Sequence, residues 1–597
     1  MLRHNLCATA LLGAAVASSP ALANPVQHVI VLSVDGLHEA DLTDPATRQY
    51  LPNITALAGA GISYTNVMGS QPSDSFPGTA ALLTGASPRS TGVFYDDAYS
   101  RTLTAPGGTA ATPRGTEVQF AENIDKNKNL LSGGGPTSGP GAYGAGAIDT
   151  AALPLNCASG TCVAVSPNQY MRTNTVFDVA HQAGLVTAFS DKHPAAYTLF
   201  AGQSGNGITD NYSPEINSLV AIDPVQGGRL VDASTNVNNL ALADSTTNYR
   251  LTEKYDDLKV TATLNRIDGK TGLGDASQAV PAISYMNFQA VSVGQKLVSN
   301  ATGTGGISLV NGQEVVNPAL QDALTHTDQS VGKILAQLKA DGQDGNTLVI
   351  LTAKHGQDPR IGAATQLSDG TIPDALTKAG IQVAQATQDD VALLWLVDPS
   401  QAAAARAVIA GLGAAAGVDQ VLSGSLFGDP ATDGRTPDLV VKLLPGFLFD
   451  GNTMSTVKRA EHGGLVPDDT AVPLILSGSS LDAGLQGTTV GSAVLTTQVA
   501  PTILFELGLD PSALDGVRLE GTAVLPGLSS STSVPEPASL AVLGSTVLLL
   551  TGVRRRQQPL RRGSAGAVRL ADPAGPWRRP RHDDLPQALP RALSSGW

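Results

Sequence analysis

The stretch Val29-Ile-Val-Leu-Ser-Val-Asp-Gly36 decides the fold, because an uninterrupted apolar run ends in a carboxylate and a glycine. Such a run predicts a strand buried on both faces, as in a parallel sheet covered by helices. Similar runs at 185–190, 282–288 and 347–353 alternate with helical patterns. The alternation predicts an α/β fold with a mostly parallel sheet and helices on both faces.

Other segments extend this pattern. The long amphipathic segment 320–338 and the segment 497–507 predict helices, and three late apolar runs predict further strands of the same alternation. Those runs are 391–397, 439–444 and 472–476.

Two insertions interrupt the predicted catalytic domain, which spans 24–528. The stretch 99–167 is rich in Gly, Ala, Ser and Thr and predicts a long surface insertion. The stretch 360–449 contains strand and helix signals and predicts a small cap subdomain.

Both ends of the chain resemble processing or sorting segments. Residues 1–23 have a basic start, a short apolar stretch and an Ala-Leu-Ala cleavage site, which is typical of a secretory signal. After a Ser/Thr linker at 529–533, residues 534–556 contain Pro-Glu-Pro, an apolar run and three arginines. This order resembles the sorting signal handled by exosortase. It implies export through an inner membrane, transient anchoring by a short membrane helix, and a periplasmic, cell-surface or matrix location.

Charge limits the partners that we expect. The whole chain carries a net charge of −14, whereas the segment from Arg554 onward contains ten Arg, no Lys and three Asp. We expect 557–597 to be a basic, unstructured tail. The acidic body excludes nucleic acid as a structural partner.

Cys157 and Cys162 bracket a four-residue turn and are the only cysteines beyond the predicted signal. In an exported protein this spacing predicts a local disulfide. A metal site is the alternative, but two thiols without a nearby His or Cys suit a metal poorly.

Four polar residues stand where ligands of α/β sheets bind. Asp35 follows the first strand, and its carboxylate suits a divalent metal ion or caps a helix. Ser75 opens a predicted helix, where backbone N–H groups favour phosphate, although an ordinary N-cap is the alternative. His355 follows the strand at 347–353, and His462 lies in a glycine-rich loop; either is a metal ligand or a structural histidine.

The chain resembles the alkaline phosphatase superfamily, in particular its type I phosphodiesterase/nucleotide pyrophosphatase branch, over about residues 26–520. The motifs that carry the resemblance are 31–36, Ser75-Phe-Pro with Leu83-Thr-Gly85, 348–356, 461–464 and 499–508. In that family two zinc ions bind the substrate phosphate, and a Thr or Ser attacks phosphorus.

The resemblance implies a divalent metal cofactor, zinc, with one or two ions, and a small phosphoester substrate. Ser75 would be the nucleophile. Asp35, Ser75 and His355 would bind the metal on the nucleophile side, and His462 would bind the other.

Three positions depart from the family. Lys354 stands where the family has Asp, and a protonated ammonium contacts a phosphate or sulfate oxygen instead of ligating a metal. Gln295 stands at a His position of the second metal, and Asp96 stands where an Asn holds a phosphate oxygen. We expect Lys354 to act in catalysis, and Asp96 and Gln295 to contact substrate. Open substitutes as metal ligands are Asp191, His193 and Asp210.

The favoured hypothesis is therefore an exported, metal-dependent phosphoester hydrolase with a Ser nucleophile, acting on diesters or nucleotide-like pyrophosphates. The altered ligand positions leave open a weakly active or non-catalytic surface protein that binds ligands. A sulfatase-like hydrolase is the remaining alternative. Sulfatases that mature through formylglycine carry Arg four residues after the nucleophile, where this chain has Thr79.

Overall fold

The structure is a computed structural model that describes residues 26–158, 160–297, 304–450, 458–478, 481 and 484–528. The predicted secretory signal, linker, sorting signal and basic tail lie outside these residues. Among the described residues, no helix has the length and apolar character needed to cross a membrane.

An eight-stranded sheet forms the centre of the fold, in the order β8-β2-β7-β6-β1-β5-β3-β4. Its strands are β1 (His28–Val34), β2 (Ile62–Tyr64), β3 (Thr187–Ser190), β4 (Asp210–Asn211), β5 (Ile283–Phe288), β6 (Thr347–Thr352), β7 (Leu474–Ser477) and β8 (Thr488–Val490). All neighbours are parallel except β7, which is antiparallel to β6 and β2. The predicted α/β class with a mostly parallel sheet is confirmed.

Helices cover this sheet and bury its strands. Every residue of β5 and β6 is buried, as is β1 after its first residue, which explains their continuous apolar sequences. The helices of at least seven residues are α1 (Pro52–Ala60), α2 (Ser75–Thr84), α3 (Val176–Gln182), α4 (Tyr249–Ile267), α5 (Ala290–Lys296), α6 (Pro318–Ala340), α7 (Thr371–Lys378), α8 (Ala402–Leu412) and α9 (Val499–Glu506).

Two runs predicted as strands of the alternating pattern belong instead to a separate four-stranded sheet. Its strands, in spatial order, are Val383–Gln388, Val391–Leu396, Leu439–Leu443 and Val418–Ser423, and all pairs are antiparallel. This sheet packs with α7 and α8 around its own apolar cluster. The sequence runs are buried strands in both cases, but their composition does not reveal which sheet they join.

The stretch 99–167 contains short paired segments rather than long elements. Asp97–Ser100 pairs with Thr116–Gln119, and Leu155–Asn156 pairs with Val163–Ala164. Cys157 and Cys162 form a disulfide beside the second pair, which confirms the predicted bond.

The remaining short strands of the described residues form four small sheets of two or three strands. They are Val67–Met68 with Val494–Leu495, Ile307–Val310 with Gln313–Val316, Thr365–Leu367 with Phe447–Phe449, and Leu219–Asp223 with Arg229–Asp232 and Ala243–Asp244.

Candidate active site

The register of the central sheet brings four strand ends to one edge. Val34 of β1 lies opposite Phe288 of β5, Ser33 lies opposite Thr352 of β6, and Ser190 of β3 lies opposite Met286. The residues that follow these strands therefore meet beyond their carboxyl ends, where α/β sheets bind ligands. They are Asp35, Gln289, Asp191 with Lys192, and Lys354 with His355.

Ser75 reaches this edge from the first turn of α2. The side chain of Asp74, not that of Ser75, caps the helix by accepting a hydrogen bond from the Phe76 N–H at 2.9 Å. The ordinary N-cap interpretation of Ser75 is thus wrong. Ser75 is buried, yet its hydroxyl is free to bond to side chains of the sheet edge.

The Ser75 hydroxyl lies 3.3 Å from Nε2 of His355. The other ring nitrogen, Nδ1, lies 2.8 Å from the Gly356 carbonyl oxygen, which only accepts hydrogen bonds. Nδ1 therefore carries the proton in the neutral ring, and Nε2 is free to accept the Ser75 proton. A hydroxyl paired with an oriented imidazole is the arrangement of an activated nucleophile and its base.

Lys192 is the site residue that sequence reasoning missed. Its Nζ donates to Ser75 Oγ at 3.0 Å and to Gln289 Oε1 at 3.4 Å, and it lies 3.7 Å from Asp35 Oδ2. The sequence signal was present, since Lys192 follows an apolar run that ends at the same sheet edge as Asp35. Its side chain is 13% exposed, whereas that of Lys354 is fully buried, so Lys192 is the more accessible of the two lysines.

Lys354, expected to contact the substrate anion, bonds to protein groups instead. Its fully buried ammonium lies 2.9 Å from Asp191 Oδ2 and donates to Tyr197 Oη at 3.3 Å. It also lies 3.6 Å from Asp35 Oδ2. Lys354 thus bridges two buried carboxylates, those of Asp35 and Asp191.

Asp35 is the common partner of this cluster. Gln289 donates to its Oδ2 at 2.7 Å, and His355 Nε2 lies 3.7 Å from the same oxygen. Burial opposes ionisation, but Lys354, His355 and Lys192 together hold the pKa of Asp35 well below its usual range. Asp35 is therefore a carboxylate within this ring of donors.

The position of Gln289 is fixed by a second buried ion pair. Asp256 accepts hydrogen bonds from the Gln289 and Ala290 N–H groups at the start of α5. Lys259 neutralises Asp256 at 3.1 Å, and both are fully buried on α4. Helix α4 thus holds the amide that contacts both Asp35 and Lys192.

His462 lies beside His355, with 3.9 Å between ring centroids. Its Nδ1 lies 3.7 Å from Asp74 Oδ1, on the side of the site formed by the helix cap. Burial and the neighbouring His355 hold the pKa of His462 well below its usual range, so this ring is neutral. Four predicted site residues, Asp35, Ser75, His355 and His462, therefore come together, with Lys354 adjoining them.

Asp96 and Gln295 lie at the margin of the cluster. Burial, with Asp74 and Asp97 nearby, raises the pKa of Asp96 well above its usual range. This shift favours the protonated form of Asp96. Gln295 donates to the Gly36 carbonyl at 2.9 Å, which supports the turn after Asp35.

The three open substitutes as metal ligands are each engaged elsewhere. Asp191 pairs with Lys354, His193 contacts Glu215 at 3.0 Å, and Asp210 pairs with Arg266 at 2.7 Å. None of them supplies a free donor to the Ser75 side of the cluster.

Some features of the site favour a metal ion. A zinc site needs three or four N or O donors around one cation. Two buried atoms, Asp35 Oδ1 and His462 Nδ1, have no hydrogen-bond partner and are donors of that type. Asp35, Ser75 and His355 are also close enough to contact one another.

The two lysines outweigh these features. An ion about 2 Å from Asp35 Oδ2 would lie within about 6 Å of both ammonium groups. Two unit charges about 4 Å apart repel by about 4 kcal/mol at an effective dielectric constant of about 20, and a dication doubles this. Within the part of the chain that the structure describes, no three His, Cys, Asp or Glu residues are arranged to hold a metal. The residues present do not fit the implied two-zinc site.

Residues 29–121 match the family model of type I phosphodiesterase/nucleotide pyrophosphatase. The resemblance predicted from the motifs is confirmed. The matched segment contains Asp35, Ser75 and Asp96. No curated protein matches the chain in sequence.

Solved structures give the same fold. The wild-type alkaline phosphatase PafA is 15% identical, with a TM-score of 0.50 over 81% of this chain and 96% of that one. A PafA mutant reaches 0.52 with the same identity and coverage. Murine ectonucleotide pyrophosphatase/phosphodiesterase 5 is 13% identical over 81% of this chain and 96% of that one, with a TM-score of 0.48. The chain has an alkaline phosphatase-like fold, and the matched family and PafA are phosphoester hydrolases by name.

Proposed function

We propose that this protein is a phosphoester hydrolase with Ser75 as its nucleophile and His355 as its general base. One observation carries the proposal: the buried Ser75 hydroxyl lies 3.3 Å from Nε2 of His355 and 3.0 Å from the Lys192 ammonium. The match of residues 29–121 to a phosphodiesterase family supports the class of reaction.

The arrangement supports a two-step transfer. Ser75 Oγ forms a bond to phosphorus while the bond from phosphorus to the leaving oxygen breaks. The Ser75 proton passes to His355 Nε2 and then to the leaving oxygen. Water next attacks phosphorus, gives a proton to His355, and breaks the bond to Ser75 Oγ, which recovers that proton.

The start of α2 and Lys192 both attract the negative charge of the phosphoryl group. Backbone N–H groups at the amino end of a helix attract anions, and Ser75 lies in that first turn. Lys192 is positioned to pair with an oxygen on phosphorus once substrate displaces part of its contact with Ser75. The family match favours diesters and nucleotide-like pyrophosphates as substrates.

The test is hydrolysis of a generic aryl phosphodiester by purified wild-type protein and by Ser75→Ala. We expect Ser75→Ala to lose at least about 1,000-fold in kcat, because the nucleophile is removed. Ser87→Ala is the matched control, since Ser87 precedes the separate short helix Pro88–Thr91 and its hydroxyl donates to Glu520 at an exposed site. Full activity of Ser75→Ala would exclude this mechanism.

A binding protein without catalysis is the second candidate, favoured by the commitment of Lys354 to Asp191 and Tyr197 rather than to substrate. Wild-type protein that binds phosphate but hydrolyses no phosphomonoester, phosphodiester or pyrophosphate would select it.

We also propose that the protein is exported. The signal pattern at 1–23 and the sorting pattern at 534–556 support this, and the disulfide between Cys157 and Cys162 fits an oxidising compartment. Exosortase-type sorting machinery and the membrane are the partners that these patterns imply. Cell fractionation, with sequencing of the mature amino terminus, tests export.

A further inference from the structure

We propose that Lys192 and Lys354 supply the positive charge of this site. That the anion is a phosphate rests on the proposed function. Phosphate binding here would then need no divalent metal ion. The inference follows from a disagreement between the implied zinc site and the side chains that stand in its place.

The two ammonium groups converge on one carboxylate oxygen. Lys354 Nζ and Lys192 Nζ lie 3.6 and 3.7 Å from Asp35 Oδ2. Asp35 and Asp191 form ion pairs with these two lysines, so these two acids have cationic partners without an added metal ion. A dication placed among them would leave an uncompensated excess of positive charge in a buried site.

The two lysines have different roles because their exposure and partners differ. Lys354 has no exposed side-chain surface, and Asp191, Tyr197 and Asp35 surround its ammonium group. It is a positioning residue that holds the side chains of Asp35 and Asp191 in place. Its ammonium group also occupies space that an ion would need.

Lys192 is the group that meets the anion. It is the more exposed of the two lysines, and its Nζ donates to Ser75 Oγ and Gln289 Oε1, which are neutral acceptors. A phosphate oxygen is a stronger acceptor than either and makes a charge-assisted hydrogen bond with Lys192. Phosphate that binds beside Ser75 therefore gains this contact in place of two hydrogen bonds to neutral groups, and Lys192 keeps its longer approach of 3.7 Å to Asp35 Oδ2.

The first experiment measures phosphate binding by calorimetry, with inorganic phosphate as probe and the mature full chain freed of metals by chelator. We expect binding to persist in wild type and to weaken about tenfold or more in Lys192→Met. Lys126→Met is the matched control, since that lysine is exposed and its Nζ donates to the Gly146 carbonyl oxygen, away from Ser75. Phosphate binding that appears only after zinc is restored would overturn the inference.

The second experiment measures zinc binding directly. We expect the wild-type protein to bind no zinc at this site, so that its zinc content equals that of Asp35→Asn. Lys354→Asp should gain such zinc, because the ammonium group is replaced by a carboxylate beside Asp35. Stoichiometric zinc in wild type that is lost in Asp35→Asn would overturn the inference, even if Lys354→Asp fails to fold.

The two proposals fail separately. Metal-free phosphate binding through Lys192 without turnover of any phosphoester would refute the proposed hydrolase and keep the two-lysine site. Turnover that needs both Ser75 and site-bound zinc would keep the proposed hydrolase and refute the metal-free two-lysine site.

Discussion

His193, the sequence neighbour of Lys192, contacts Glu215, a buried acid adjacent to Asp125. Its Nδ1 lies 3.0 Å from Glu215. Burial and the adjacent Glu215 raise the pKa of Asp125 to about 9, and burial raises the pKa of Glu215 to about 8. Both acids therefore hold protons in the folded protein at pH values where the unfolded chain has released them.

This pair makes stability depend on pH with a defined sign. Because the folded pKa of Asp125 is raised, its contribution is fully present below about pH 4 and is lost as pH rises toward about 9. We expect Asp125→Asn to make this decline shallower by up to about 1.4 kcal/mol per pH unit, since its proton no longer titrates. Thermal denaturation across this pH range measures the slope.

Asp341→Asn, at an exposed position after α6, is the control and should keep the wild-type slope. Identical slopes for wild type and Asp125→Asn would contradict the assignment of the proton to Asp125.

Single residues show how far sequence reasoning reaches. Asp35 and His355 could be predicted because each lies just beyond a buried, mostly apolar strand, and Ser75 because Pro77 marks the start of a helix. Lys192 also follows a strand, but its neighbours Asp191 and His193 have the residue types of metal ligands, whereas a protonated lysine does not. The partners of Lys354 could not be predicted, since Tyr197 and Asp191 meet it only through the tertiary fold.

At the scale of elements, α2 approaches the end of β6 very closely. A Cβ atom added to Gly78 would lie 2.6 Å from the Lys354 carbonyl oxygen and 2.9 Å from Lys354 Cβ. Gly78 therefore allows the helix that carries Ser75 to pack directly on the segment that carries Lys354 and His355. The distance of 3.3 Å between Ser75 Oγ and His355 Nε2 depends on this contact.

We expect Gly78→Ala to lower kcat/KM for an aryl phosphodiester by about 100-fold, because displacement of the helix by about 1 Å moves Ser75 from His355. Gly59→Ala is the matched control, since Gly59 also lies in a helix but an added Cβ would meet nothing within 4 Å. That control should keep full activity and gain slight stability from the better helix propensity of Ala. Wild-type kinetics in Gly78→Ala would show that this packing does not position Ser75.

At the scale of the whole molecule, continuous apolar strands made the central sheet predictable. A strand that is buried on both faces has few sequence alternatives, and β1, β5 and β6 are of this kind. The sequence predicted a cap subdomain at 360–449 but not its separate antiparallel sheet, because strands 391–396 and 439–443 are as buried and apolar as those of the central sheet. Their partner strand 418–423 is mostly exposed and carries little strand signal.

The same reasoning applies to the site as a whole. Sheet register places the strand ends together, so a site at this edge could be predicted from strand order alone. Its charge balance could not, because that depends on which lysine pairs with which carboxylate in three dimensions. The resemblance implied zinc at a place where the fold puts two ammonium groups.

A covalent intermediate on Ser75 tests the central claim most directly. Wild-type protein is mixed with an aryl phosphodiester, quenched in acid during turnover, digested and analysed by mass spectrometry. The account predicts a phosphoryl adduct on the peptide that contains Ser75, in the presence of chelator, and no adduct in Ser75→Ala. Active protein whose Ser75 peptide stays unmodified, or an adduct that forms equally in Ser75→Ala, would contradict it.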